Sequence, residues 1–164
     1  MQVGLPFLGS LFPLDITREL ESPEAERQKD KMEKKKEYFL EKYSRQIIMG
    51  QIGIDGQKKI SNSSIAIVGC GGLGTSAAQY LSMSGVGNIT LIDHDSVALS
   101  NLNRQTLFTE KDIGKSKCMV LSRRIKSINE SIELCHYQKK ITNLNINQYL
   151  GKPSIILDCT DNFE

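Results

Sequence analysis

A turn with four glycines, between a short apolar run and a helix-forming segment, is the first candidate for chemistry. The stretch IAIVGCGGLG, residues 65–74, places Gly69, Gly71 and Gly74 in the spacing GxGxxG, with Gly72 inside the turn. The first glycine permits a tight turn, the second lets a phosphate approach the backbone, and the third lets helix and strand pack closely. A helix that begins here offers unpaired N–H groups and the positive end of its dipole to an anion. The sequence therefore predicts a nucleotide phosphate site.

An acidic residue follows the next predicted strand at the spacing expected for ribose recognition. Asp93 ends the apolar run 89–92, about 20 residues after Gly74. A carboxylate at this point can accept a hydrogen bond from a ribose hydroxyl. Since NAD and ATP both carry ribose and phosphate, the turn and Asp93 predict a nucleotide without choosing between the two.

The polar segment that follows favours a triphosphate. Residues 93–105, DHDSVALSNLNRQ, carry two carboxylates and then hydroxyl, amide and guanidinium groups, among them Ser100, Asn101 and Arg104. Lys117 stands in the first turn of the next predicted helix, so that two cations are expected to border one crevice. Such cations stabilise a polyphosphate during group transfer, whereas an NAD site needs little from this loop beyond its first acid.

The stretch DCTDN, residues 158–162, supplies a third group of polar side chains. In a doubly wound sheet the strand before it lies on the far side of the first strand, and ligands bind where the strand order switches. Asp161 and Asn162 are therefore expected to face the crevice of the glycine turn, although an Asx turn is the alternative. A carboxylate opposite a triphosphate is well placed to hold Mg²⁺. Asp158 is expected to be a turn residue at the end of the strand.

Alternating strand and helix patterns must position these groups. Apolar runs predict strands at 65–68, 89–92, 133–137 and 155–158. Helices are predicted after the glycines, along an apolar face that begins at Cys118, and at 144–150. This order predicts an α/β, Rossmann-like, doubly wound and mostly parallel sheet. Because the chain ends soon after the last strand, we expect an incomplete sheet and the N-terminal part of a longer protein.

N-terminal helices are predicted before the sheet. Residues 1–31 carry three prolines and many charges and are expected to be a flexible extension, which leaves 32–164 as a truncated ATP-binding domain. Residues 24–42 are typical of a solvated helix. Phe39, Tyr43 and Ile47 fall on one helical stripe, and Asp55 is the expected N-cap of a helix that continues through Ile60.

Bulk composition excludes several classes of function. The 164 residues include 21 Lys and Arg, 19 Asp and Glu, and 6% aromatics, which gives no case for a nucleic-acid or membrane surface. No apolar run is long enough to span a bilayer. No CxxC pair indicates zinc, and the cysteines are expected to be free, buried thiols in a reducing compartment, the cytoplasm. They are Cys70, Cys118, Cys135 and Cys159.

Six motifs, in order, resemble the adenylyltransferases of the MoeB/ThiF/HesA family, bacterial relatives of the ubiquitin-activating enzymes. They are YSRQI at 43–47, GCGGLG at 69–74, GVGNITLIDHD at 85–95, SNLNRQ at 100–105, GKSK at 114–117 and DCTDN at 158–162. The resemblance implies an enzyme that uses MgATP to adenylate the C-terminal Gly-Gly carboxylate of a small ubiquitin-like sulfur-carrier protein, MoaD-like or ThiS-like, and releases pyrophosphate. Molybdenum cofactor biosynthesis is the expected pathway, and thiamine biosynthesis is the alternative.

The resemblance also implies a role for each matching residue. Gly72, Asn101, Arg104 and Lys117 would contact the phosphates, and Asp93 would contact the ribose. Asp161 would hold Mg²⁺ beside Asn162. Arg45 would reach the site of the neighbouring subunit in a homodimer.

Parts of the family pattern are missing up to Glu164. The crossover loop that grips the carrier, the CxxC motifs that bind Zn²⁺ and a possible catalytic cysteine would all follow DCTDN. We therefore expect the 164-residue chain alone to have little or no adenylating activity. Two other classes stay open: an NAD-dependent oxidoreductase, which would leave SNLNRQ and DCTDN without a role, and a non-catalytic nucleotide-binding module.

Overall fold

The structure, a computed structural model, describes residues 23–161. The chain divides into one compact unit that ends at Glu41 and a second that begins at Lys42. The helices are α1 (Pro23–Lys42), α2 (Ser44–Ile47), α3 (Gly53–Ser61), α4 (Gly72–Ser84), α5 (Lys117–Ile128) and α6 (Ile146–Leu150). The strands are β1 (Ser64–Val68), β2 (Asn88–Ile92), β3 (Glu133–Tyr137) and β4 (Ile155–Asp158), and 3-10 turns lie at Leu99–Asn101 and Glu110–Asp112.

The long helix of the first unit is charged along its whole length. α1 has 20 residues, and none of them is buried. Alternating glutamates and lysines keep such a helix soluble and support it through pairs one turn apart. Within residues 23–161, no helix combines the length and the apolar composition that crossing a bilayer requires.

The second unit contains a four-stranded parallel sheet in the order β3-β2-β1-β4. The predicted Rossmann-like fold is thus confirmed, and β4 lies beside β1 on the side away from β2, as predicted. The strand order therefore switches next to β1. All four strands end at the same edge of the sheet, from which the glycine turn leaves.

Helices cover both faces of this sheet. On one face, α4 and α5 bury Ile67, Leu91 and Leu121 in the main core. On the other face, a smaller cluster joins Ala66 and Ile92 to α6. The apolar face predicted for α5 is the face that packs on the sheet, because a 3.6-residue period places its members on one side of the helix.

Two predictions about the segment before the sheet are wrong. The stripe of Phe39, Tyr43 and Ile47 is not one helix, because α1 ends at Lys42 and Tyr43 leaves helical geometry at φ −105° and ψ 14°. Tyr43 is buried and its ring packs against Gly85, so tertiary contacts override the local period. Asp55 is not an N-cap: α3 begins at Gly53, and Asp55 lies in its first turn, where its charge still favours the helix dipole.

The expectation of buried thiols holds only for part of the set. All four cysteines are free, and Cys70 and Cys118 are buried. Cys135 is exposed and Cys159 is half-buried. Cys135 lies on β3, an outer strand of the described sheet with little cover on its faces, which the local sequence does not reveal.

Candidate functional site

Two glycines of the turn are required by the protein's own packing. Gly69 has φ +92°, and a Cβ there would lie 2.7 Å from the carbonyl oxygen of Cys159. A Cβ on Gly74 would overlap the carbonyl oxygen of Gly69. Backbone after β4 therefore crosses directly against the turn, and α4 packs onto it without room for a side chain.

The other two glycines would accept a Cβ in ordinary van der Waals contact. A Cβ on Gly71 would come no closer than 3.8 Å to Gln105 Nε2, and one on Gly72 no closer than 3.8 Å to Arg104. Gly71 is the N-cap of α4, and no side chain caps the helix there. The first-turn N–H groups therefore lack a side-chain acceptor, which leaves them available to an anion.

Asp93 joins the glycine turn to the loop after β2. Its carboxylate is largely buried, and Oδ2 accepts a hydrogen bond from the Cys70 N–H at 2.6 Å. Oδ1 accepts one from the Asp95 N–H at 2.7 Å. Each carboxylate oxygen has a second lone pair, so a ribose hydroxyl can still bind here. The structural role of Asp93 is additional to the one that the sequence predicted.

The two predicted cations differ in how firmly they are held. Lys117 is 6% exposed, and its Nζ lies 2.8 Å from Asp95 Oδ2. Arg104 is exposed, and its Nη1 donates to the Ser100 carbonyl and to Asn103 Oδ1, both at 3.1 Å. Lys117 is therefore fixed within the protein, whereas Arg104 is held at the surface beside Gly72.

Lys117 and burial shift the pKa values of two side chains at this edge. The hydrogen bond from Lys117 lowers the pKa of Asp95. Burial raises the pKa of Cys70 well above its ordinary value, and Asp93 adds to this, while Lys117 acts in the opposite direction. Cys70 consequently carries a neutral thiol, not a nucleophilic thiolate.

Ser100 and Asn101 shape the polar segment. Asn101 Oδ1 accepts from the Ala98 N–H at 3.0 Å, and the Asn101 carbonyl accepts from the backbone of Gln105 at 3.0 Å. Ser100 is exposed and uses its carbonyl to hold Arg104. The segment thus folds on itself and carries Arg104 and Gln105 to the turn.

The DCTDN stretch is described up to Asp161. Asp158 Oδ1 accepts from the Thr160 N–H at 3.0 Å and from the Thr160 hydroxyl at 2.8 Å, which lowers the pKa of Asp158. It is the strand-end turn residue that the sequence predicted. Asp161 is exposed, and its side chain forms no hydrogen bond or ion pair within residues 23–161. The predicted residue Asn162 lies outside the described residues.

Arg45 is not brought to the glycine turn of its own subunit. It lies exposed on α2, beside Tyr43, whose ring contacts Gly85 at the C-terminal end of α4. The glycine turn is at the other end of α4, which has 13 residues, about 18 Å of helix. That separation is well beyond the reach of one side chain.

Two residues of this edge were missed as site candidates. Asp95 pairs with Lys117, and the repeated aspartate in DHD was the signal that could have found it. Gln105 is 2% exposed, and its Oε1 is buried without a hydrogen-bond partner in the described part of the chain. Its place directly after Arg104 was the only sequence signal.

A parallel sheet with an open glycine turn and cations at its carboxyl edge defines the class of nucleotide-binding α/β domains. Within that class, the chain belongs to the ThiF family, whose model matches residues 43–164.

Three similar proteins show where this chain stands within the family. It is 45% identical to the sulfur carrier protein ThiS adenylyltransferase of Escherichia coli, over 74% of this chain and 48% of that protein. It is 40% identical to the molybdopterin-synthase adenylyltransferase of Escherichia coli, over 74% and 49%. The crystal structure of E. coli tRNA N6-threonylcarbamoyladenosine dehydratase, TcdA, in complex with ATP superposes with a TM-score of 0.70 at 30% identity, over 75% of this chain and 50% of that one. The chain thus spans about half the length of these relatives.

Proposed function

We propose that this chain contributes the nucleotide-binding part of an enzyme that adenylates the C-terminal Gly-Gly carboxylate of a ubiquitin-like sulfur carrier, ThiS-like or MoaD-like. The carrier carboxylate attacks the α-phosphorus of ATP, the bond between the α-phosphorus and the bridging oxygen breaks, and pyrophosphate leaves. The observation that carries the proposal is the N-terminus of α4, which no side chain caps and where Arg104 lies beside Gly72. The named relatives act on sulfur carriers, and TcdA binds ATP with the same fold.

Each group at this edge has a distinct task in the proposed reaction. The first-turn N–H groups at Gly71 and Gly72 receive phosphate oxygens, and Asp93 binds the ribose. Arg104 and Lys117 stabilise the charge that moves onto pyrophosphate as it leaves. Ser100 and Asn101 hold the backbone from which Arg104 projects, and Asn101 also contacts the phosphates.

Asp161 is the proposed magnesium ligand, beside Asn162. The carboxylate is exposed, and no protein partner within residues 23–161 occupies it; it follows a backbone segment that crosses the glycine turn. Its donor oxygens suit a hard cation. Bound Mg²⁺ would neutralise phosphate charge, and Asp161 would hold it on the open side of the turn.

A homodimer with Arg45 acting across the interface is part of the proposal. In each subunit, about 18 Å of α4 separates α2 from the glycine turn. Arg45 can therefore assist a phosphate site only if that site belongs to another copy. A cation supplied by a second subunit is an effective way to stabilise charge during phosphoryl-type transfer.

The cytoplasm is the proposed location. The four free thiols are typical of a reducing compartment. Between the two pathways, the higher identity to the ThiS enzyme, 45% against 40%, favours thiamine biosynthesis slightly. Both carriers therefore belong in the test.

Two separate measurements test the proposal. In calorimetric titrations with Mg²⁺, we expect the 164-residue chain to bind ATP more tightly than adenosine and to show no binding of NAD. Binding of NAD without ATP would contradict a nucleotide site of this kind.

Adenylation is measured on the protein that the native gene encodes. The substrates are ThiS-like and MoaD-like carriers that end in Gly-Gly. We expect pyrophosphate release and a carrier mass increased by one adenylyl group, that is, AMP less one water. A protein that binds ATP but modifies neither carrier would overturn the proposed reaction while leaving the nucleotide site intact.

A further inference from the structure

Lys117 is an unusually buried cation, and one carboxylate holds it. The residue is 6% exposed, and its Nζ donates to Asp95 Oδ2 at 2.8 Å. The backbone repeats the connection, because the Lys117 N–H donates to the Asp95 carbonyl at 3.1 Å. Both ends of this lysine are therefore fixed relative to the loop after β2.

The segments on either side of this pair are joined as well. The Val97 N–H donates to the Lys115 carbonyl, and the Gly114 N–H donates to the Val97 carbonyl, both at 2.8 Å. Ser96 and Ser116 form an isolated antiparallel bridge. The loop after β2 and the start of α5 are therefore hydrogen-bonded to each other over several residues on the N-terminal side of Lys117.

The backbone of Asp95 is held in turn by Asp93, the residue proposed to bind the ribose. Its N–H donates to Asp93 Oδ1 at 2.7 Å, and the other oxygen of Asp93 holds the glycine turn through Cys70. A continuous chain of hydrogen bonds therefore runs from the turn through Asp93 and Asp95 to Lys117. A long, flexible lysine is useful to a transition state only if its ammonium is already in place.

We propose that Asp95 is the positioning residue that holds the Lys117 ammonium at the carboxyl edge of the sheet for a nucleotide polyphosphate. The inference rests on the proposed function and adds a residue to it. Asp95 does not contact the phosphates; its effect passes through Lys117. The Lys117 ammonium has three protons and donates one to Asp95 Oδ2, so that two are left for phosphate oxygens while the pair stays intact.

A double-mutant cycle on nucleotide affinity tests this inference. The dissociation constants of ATP and adenosine are measured by calorimetry for the wild type, Asp95→Asn, Lys117→Met and the double variant. We expect Asp95→Asn to weaken ATP binding by about tenfold, because a flexible lysine without its partner is no longer held in one position, and to change adenosine binding by less than about twofold. In the Lys117→Met background, Asp95→Asn should change neither. Asp95→Glu keeps a carboxylate and should recover most of the affinity.

Asp112→Asn is the matched control. Asp112 is also an aspartate paired with cations, since Arg124 lies at 3.3 Å and Lys115 at 3.5 Å, but it is outside the proposed site. We expect it to lower stability and to leave the ratio of ATP to adenosine affinity unchanged.

Three results would overturn the role of Asp95. They are an equal loss of adenosine binding, a tenfold loss that persists without Lys117, and ATP binding by Asp95→Asn that is unchanged or tighter than in the wild type. If the wild type binds no ATP, the proposed function fails instead, so the two failures are distinguishable.

Discussion

At the scale of single residues, the four glycines of the turn divide into two kinds. Gly69 and Gly74 have backbone atoms where a Cβ would be, so the fold itself excludes a side chain there. Gly71 and Gly72 meet nothing closer than 3.8 Å. A motif that looks uniform in sequence therefore combines two glycines that the fold requires with two at which it would tolerate a side-chain methyl group.

Alanine substitutions should separate these two kinds. We expect Gly74→Ala to cost more than about 4 kcal/mol or to prevent folding, because its methyl group would overlap the Gly69 carbonyl. Gly72→Ala should stay within about 1 kcal/mol of wild-type stability and weaken ATP about tenfold. The measurements are urea unfolding and calorimetric titration. Unchanged ATP affinity in folded Gly72→Ala would show that the phosphates do not bind at this turn.

At the scale of elements, a buried asparagine joins segments that are distant in sequence. Asn129, at the end of α5, donates to the Ser82 carbonyl at 2.9 Å and to the Tyr43 hydroxyl at 3.1 Å. Its Oδ1 accepts from Lys42 at 2.7 Å and from the Ser131 hydroxyl at 2.7 Å. This network holds α2, and thus Arg45, at the end of α4 away from the glycine turn.

Removing that side chain should affect stability and not the site. We expect Asn129→Ala to lower the free energy of unfolding by about 3 kcal/mol, since several buried groups lose their partners. ATP affinity of the folded fraction should stay within about twofold of wild type, as the network lies about 18 Å from the turn. Urea unfolding and titration below the melting temperature measure both. A loss of ATP affinity with unchanged stability would contradict this separation.

Asp112 should make stability depend on pH in the acid range. Hydrogen bonds from Thr109 lower its pKa to about 2, with a further contribution from Arg124. A carboxylate whose pKa is lower in the folded state stabilises the fold fully above its unfolded pKa, about 3.9. That contribution should be lost as the pH falls from about 4 through about 2.

Comparison with Asp112→Asn isolates this effect in acid unfolding curves. The variant should be less stable than wild type at pH 6, and the difference should shrink as the pH falls through the window. A constant difference across it would show that the charge of Asp112 does not contribute.

At the scale of the whole molecule, the length of α4 separates the two arginines of the proposed site. Arg104 lies at the carboxyl edge beside Gly72, and Arg45 lies near Gly85, at the opposite end of α4. A site that uses both needs two subunits. Assembly is therefore a condition for a complete site in this proposal.

Mixing two defective variants tests assembly directly. Arg45→Ala and Arg104→Ala should each bind ATP weakly alone. After subunit exchange, about one quarter of the sites should regain wild-type affinity, because half of the dimers are mixed and each has one intact site. Sedimentation velocity establishes the dimer, and the stoichiometry of tight ATP binding counts the sites. No recovery in a mixture shown to contain mixed dimers would place Arg45 outside the site.

Periodic apolar patterns and turn chemistry determined most of the fold. The strands at 133–137 and 155–158 have the predicted bounds, and Gly85 ends α4 at φ +90°. These features depend on residues that are close together in the sequence, so they can be recognised from the sequence. The break at Tyr43 could not be predicted, because it depends on Gly85 and Asn129, far away along the chain.

The sequence by itself determined that a glycine turn, Asp93 and two cations would meet at one edge, because parallel strands bring their carboxyl ends together. Only the tertiary structure decided that the Lys117 ammonium pairs with Asp95. It also decided that a Cβ would fit at Gly71 and Gly72 but would collide with backbone atoms at Gly69 and Gly74. The tertiary structure likewise decided that Arg45 lies at the end of α4 opposite to its own turn. Side-chain pairing and free space depend on distances between segments, and a linear sequence does not record those distances.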